Sequence, residues 1–203
     1  MLDSGWLIKR VGLRIVERWR ALVFRLVFRD WLVMSPHRSV FGIAVVVLSE
    51  SDSTGLLFAK LEQAIRLIAE ADPYRLARIR RDIARILVVP GGGDFFHAGL
   101  QACVIDEASA RGYDVPELSL VIVHEAAHAR IHRRHIPYED SARARIEAAC
   151  VRAEYYFARR ASLDARIRHD LHGECATNEW AVEDRLRRRR SALMAFALSG
   201  RGE

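Results

Sequence analysis

His124, Glu125 and His128 stand in the pattern H-E-x-x-H. On a helix, residues four apart lie one turn apart on one face, so both imidazoles can reach a single metal ion. Glu125 follows the first histidine and projects beside the metal position rather than onto it. A carboxylate there serves as a general base toward water. Leu120, Val121, Ile122 and Val123 lead in as an unbroken apolar run, and Ala126 and Ala127 fill the middle of the motif. A buried helix carrying two imidazoles and a carboxylate would be costly without a metal or polar partners. The bland alternative, a surface helix with two ordinary histidines, does not account for the apolar lead-in.

The stretch from Leu118 to Ile131 resembles the active-site helix of the zincin metallopeptidases. It agrees with the extended signature of that family up to Ala129 and departs at Arg130, with apolar Ile131 one place late. The resemblance spans roughly residues 80 to 160. It implies a mostly helical α+β domain with a small β-sheet, a Zn2+ ion, and a peptide or protein substrate cleaved by zinc-activated water with Glu125 as base.

Catalytic zinc takes three protein ligands and keeps one position open. Pro137 breaks the chain after the motif helix, and a second helix is expected from Glu139 to about Arg160, with Ile146, Cys150, Ala153 and Phe157 as its apolar stripe. Glu147 falls among Ile146, Ala148, Ala149 and Cys150, one helix downstream of His128, where a carboxylate can cross to the metal. This resembles the gluzincin layout, in which a glutamate of the next helix is the third ligand. Glu154, two turns on, is the rival; it could instead hold the free N–H of a histidine. His135 is a further rival of metzincin type, but Ile131 and Arg134 occupy the positions where that pattern wants Gly and His. Tyr138, between the two helices, is the candidate donor to a tetrahedral oxyanion, a role the resemblance to thermolysin-like enzymes supports; His135 is a second. The acidic residue that those enzymes carry one turn after the ligand glutamate is Val151 here.

The elements that must position these groups follow in chain order. Residues 2–33 read as a long amphipathic helix: Ile8, Val11, Ile15, Trp19, Leu22 and Leu26 on one face, arginines on another. Its make-up fits an anionic membrane surface, or a stripe packed on the domain with solvated arginines. Val40 to Leu48 is too short to span a bilayer and reads as one buried strand, or as a helical hairpin with the first element. Composition thus divides the chain into 1–50 and a zincin-like 51–203. Thr54 is expected to cap a helix from Leu56 to about Ala71, and Pro73 to start another through about Arg81. Ile83–Val89 and Gly99–Asp106 read as two strands paired as a hairpin across a flexible Pro90-Gly-Gly-Gly93 turn. The resemblance makes residues 99–105 an edge strand that holds extended substrate. Beyond Ser162 a basic helix (Arg185–Arg190) and a small apolar helix (Ala192–Leu198) are expected.

With 203 residues, 51% hydrophobic and 29% charged, the chain reads as one globular core. Its formal charge is +6, and Lys9 and Lys60 are the only lysines among 32 basic residues. Cys103, Cys150 and Cys175 are odd in number and scattered, which argues for a reducing compartment. The expected setting is cytoplasmic, or peripheral on the inner face of a membrane. His169, His172 and Cys175 share a three-residue spacing that fits a helix or turn better than a second metal site. No nucleic-acid fold motif accompanies the basic helices. Two other classes stay open: a non-catalytic zinc-binding regulatory module, and a basic membrane- or nucleic-acid-associated protein in which H-E-x-x-H is accidental.

Overall fold

The computed structural model describes residues 35–48 and 54–176. The expected helix over residues 2–33 and the helices expected around Arg185–Arg190 and Ala192–Leu198 lie outside the described residues. A compact unit begins at Pro36.

Strands β1 (His37–Val40) and β2 (Ile43–Val47) form an antiparallel hairpin. Phe41 and Gly42 turn it with φ of 49° and 78°. Two left-handed residues between strands match the right-handed twist of a hairpin. The single strand expected over Val40–Leu48 is therefore corrected: the backbone reverses at Phe41-Gly42. β2 then pairs in parallel with β3 (Arg85–Val89), so the sheet draws on residues on both sides of residue 50.

Helix α1 (Thr54–Ala71) buries Leu57, Leu61, Ile65 and Ile68, the face read from the sequence. Helix α2 (Pro73–Asp82) starts on Asp72, whose side chain accepts from the Arg75 N–H, with Pro73 in the first turn. Both are favourable helix starts.

The pairing of β3 with β5 (Ala102–Asp106) is parallel, with Ile86 opposite Cys103 and Val88 opposite Ile105. The expected hairpin is overturned. Parallel strands need a crossover of about a dozen residues. Residues 90–101 supply it with the glycine turn, strand β4 (Phe95–His97) and a short 3-10 turn. β4 pairs antiparallel with β5 and ends the sheet, whose order is β1-β2-β3-β5-β4. Residues 102–105 of the expected edge strand thus lie inside the sheet, and the edge is β4. The glycine turn is fixed: Gly91 and Gly93 sit at φ of 68°. The N–H groups of Gly91 and Gly92 donate to Asp106 Oδ1 at 2.8 and 3.2 Å.

Asp106 also caps the short helix α3 (Glu107–Gly112). Helices α4 (Val115–Arg133), α5 (Asp140–Arg160) and α6 (Ala165–Ala176) complete the described chain. One apolar cluster joins Ile86, Val88, Cys103 and Ile105 of the sheet to Leu61 and Ile65 of α1, Leu118 and Ile122 of α4, and Phe157 of α5. The strand residues alternate, as period-two side chains on one sheet face must. Over the described residues the fold is α+β, mostly helical, with a small mixed sheet, the fold class that the resemblance implies. No described helix is long and apolar enough to cross a membrane.

Candidate metal centre

Helix α4 carries the motif and is buried on most of its circumference. Its start is fixed by a reciprocal capping box: Asp114 accepts from the Glu117 N–H, and Glu117 accepts from the Asp114 N–H, both at 2.8 Å. This satisfies two donors that the helix itself leaves open. Its last turn is basic, with Arg130, His132 and Arg133 near the negative end of the helix dipole. His124 and His128 therefore lie in a well-anchored interior stretch. His124 is 5% exposed and Glu125 1%.

The two imidazoles face one another through Nε2, 3.1 Å apart. From α5, Glu147 Oε2 comes within 3.4 Å of His124 Nε2 and 3.6 Å of His128 Nε2. Glu154, seven residues further along the same helix, bonds the other nitrogen of His124, Nδ1. Tyr138, on the connection between α4 and α5, donates its hydroxyl to Glu147 Oε1. Its ring meets that of His128 edge-on at 5.8 Å, and the Arg143 guanidinium lies over the ring at 5.2 Å.

Electrostatics follow from this packing. Burial pulls the His124 pKa down, but the Glu154 charge and the hydrogen bonds that the ring donates to Glu147 and Glu154 outweigh it and push it up to about 10. For Glu147, burial raises the pKa, yet hydrogen bonds from both histidines and Tyr138 hold it well below the usual carboxylate range. Two carboxylates face two imidazoles, so the cluster is built around positive charge. Behind it, on β5, burial and the charges of Glu125 and Asp94 push the Cys103 thiol up, which keeps it a neutral thiol.

Among the described residues, one metal-capable group of His, Cys, Asp and Glu is His124, His128 and Cys150, whose donor atoms all lie within 4.8 Å of one another. This buried group could hold a metal ion. Cys150 reads in the sequence only as part of an apolar stripe; its place three residues after Glu147 is the signal that puts it on the same face of α5. His135 is exposed, past the end of α4 at φ of 57°. His169 is exposed beside Asp170, and the His172 ring packs against Tyr155 at 5.5 Å.

Comparison with family models, with curated proteins and with solved structures finds no match to this chain.

Proposed function

We propose that the protein is a zinc-dependent metallopeptidase, with His124, His128 and Glu147 as ligands and Glu125 as general base. The observation that carries this reading is the approach of Glu147, from a second helix, to both Nε2 atoms. A tetrahedral zinc site with bonds of about 2.0–2.1 Å separates its donor atoms by about 3.3–3.4 Å. The three separations here, 3.1, 3.4 and 3.6 Å, bracket that edge length. Cys150, the third member of the buried donor group with His124 and His128, is the alternative third donor. Glu154 on Nδ1 supports the same reading, because a ligating histidine commonly donates its other N–H to a carboxylate that fixes its orientation.

Zinc bound there would supply a Lewis acid that polarises the scissile carbonyl and acidifies water. The chain's own residues do the rest. Glu125 takes the proton of the attacking water and passes it to the leaving amine. Tyr138 is the donor to the developing oxyanion, turning toward it the hydroxyl proton that Glu147 Oε1 accepts here. Strand β4 ends the sheet beside the motif helix, where an extended peptide would add as a further strand: the Phe96 ring lies 5.8 Å from His132 of α4.

The test is zinc content and hydrolysis of a mixed peptide library. Near-stoichiometric zinc in the wild type, lost in His124→Ala and Glu147→Ala, supports the ligand set. Zinc with no hydrolysis in the wild type leaves the regulatory-module reading, and no zinc after metal is supplied overturns both.

A further inference from the structure

On α2 and the last turns of α5, away from the histidines in sequence, a concave pocket of about 440 Å³ is lined by Asp72, Arg75, Arg78, Tyr156, Arg159 and Arg160. Four guanidinium groups and one carboxylate line it. Asp72 is buried and binds Arg75 at 3.1 Å and Arg160 at 3.2 Å. Arg78 bonds only a backbone oxygen, that of Tyr74, and Arg159 lies over the Tyr155 ring. Neither has a carboxylate partner among the described residues.

Two other helical arginines are neutralised within their own helix. Arg66 pairs with Glu62 and Arg111 with Glu107, each one helical turn away. Such i,i+4 pairs are the ordinary way a helix carries charge. The pocket instead concentrates like charges on a concave wall. Arg75 is held there with its side chain only 16% exposed, stacked toward the Phe157 ring. Burial, with Arg78 and Arg160 nearby, pulls its pKa down, while Asp72 opposes them. Guanidinium groups converging without matching acids are the usual means of gripping phosphate oxygens through paired N–H donors. Tyr156 adds an aromatic face at the rim and is 53% exposed. A solvated Tyr ring beside arginines can stack on a planar heterocycle.

We propose that this pocket binds a nucleoside polyphosphate, with Arg75, Arg78, Arg159 and Arg160 on the phosphates and Tyr156 on the base. The proposal is independent of the metallopeptidase reading. A charge surplus of three facing a pocket of this size fits a compact di- or triphosphate better than an extended strand.

The experiment is calorimetric titration of the full chain with ATP and, separately, with inorganic pyrophosphate. Arg78→Gln/Arg159→Gln and Tyr156→Ala are compared with the wild type. The first variant removes two cations without breaking an ion pair, and its circular dichroism and melting temperature report that the fold is intact. Saturable ATP binding is expected, weakened at least about tenfold in the double arginine variant. Tyr156→Ala should weaken ATP and leave pyrophosphate unchanged. Equal ATP binding by the wild type and the double variant would place the ligand on arginines elsewhere and overturn the proposal. Absence of binding to the wild type at millimolar ATP overturns it as well. Pyrophosphate binding with no ATP advantage removes the nucleoside and with it the assignment of Tyr156.

Discussion

Helix α5 contributes to two charged regions that solve opposite problems. Around His124, at Glu147 and Glu154, each charge meets its complement: two buried imidazoles face two carboxylates, and a tyrosine hydroxyl holds one of those carboxylates. Around Asp72, at Tyr156, Arg159 and Arg160, the charges do not balance. One buried carboxylate serves two guanidinium groups, and two more stand beside it without one. Desolvation decides the difference. Deep in the protein an unmatched charge costs several kcal/mol, so the histidine cluster has to be compensated. At an open pocket, water screens the surplus, and unmatched arginines can persist at little cost. A buried, compensated cluster suits a resident cation, and an open, uncompensated one suits an exchanging anion.

Five perturbations would break or sharpen that contrast. The largest effect is expected from Glu125→Gln, which should lower peptide hydrolysis about 10²–10⁴-fold while zinc content stays at the wild-type level. Zinc loss in that variant would make Glu125 a ligand and remove it as base.

Next is the pH dependence of the metal-free protein. His124 has its folded pKa raised from 6.5 to about 10, so its contribution to stability is fully present below about pH 6.5 and is lost as pH rises through about 10. Glu147 has its pKa lowered from 4.5, so its contribution is present above that value and lost as pH falls. Urea unfolding in chelator should show greatest stability between about pH 4.5 and 6.5 and a decline above. A flat profile up to pH 10 would mean that the His124–Glu154 pair is not coupled to folding.

Glu154→Gln keeps a partner on His124 Nδ1 but removes its charge. Zinc affinity is expected to fall about 10–100-fold, by competition with a chromogenic chelator. Unchanged affinity would remove Glu154 from the support of that histidine.

Asp72→Asn carries the contrast to the arginine pocket. It should cost about 1–3 kcal/mol in chemical unfolding, because it weakens the cap of α2 and leaves Arg75 and Arg160 without their carboxylate. Arg159→Gln should be the mildest, within about 0.5 kcal/mol of the wild type. A large loss there would make Arg159 a structural cation and the pocket a balanced cluster after all.

Local signals were legible along the chain. The spacing of His124 and His128, the apolar run before them, and the break at Pro137 locate two helices. The apolar setting of Glu147 singles it out on the second. Helices α1 and α2 are marked by the periodic Leu57, Leu61, Ile65 and Ile68 and by Asp72-Pro73, and the structure begins and ends them close to where those residues imply. Strand direction was not legible. Ile86, Leu87, Val88 and Cys103, Val104, Ile105 are buried on both faces, so their patterns carry no sign of parallel or antiparallel pairing. β4 was missed because three residues, Phe95–His97, are too few to show any period.

The sequence by itself thus determined helices α1, α2, α4 and α5, because turn-to-turn spacing and capping are local: Asp114 and Glu117 close the start of α4 within four residues, and His124 and His128 share a face wherever that helix is placed. Tertiary structure alone decided what meets what. It turned β3 and β5 parallel, put β4 at the edge, and brought Glu147 to Nε2 and Glu154 to Nδ1 of the same ring. It also gathered Arg75 and Arg78 with Arg159 and Arg160, some eighty residues apart, around one pocket. Those meetings depend on how helices pack across a shared apolar core, a long-range balance that no stretch of sequence encodes on its own.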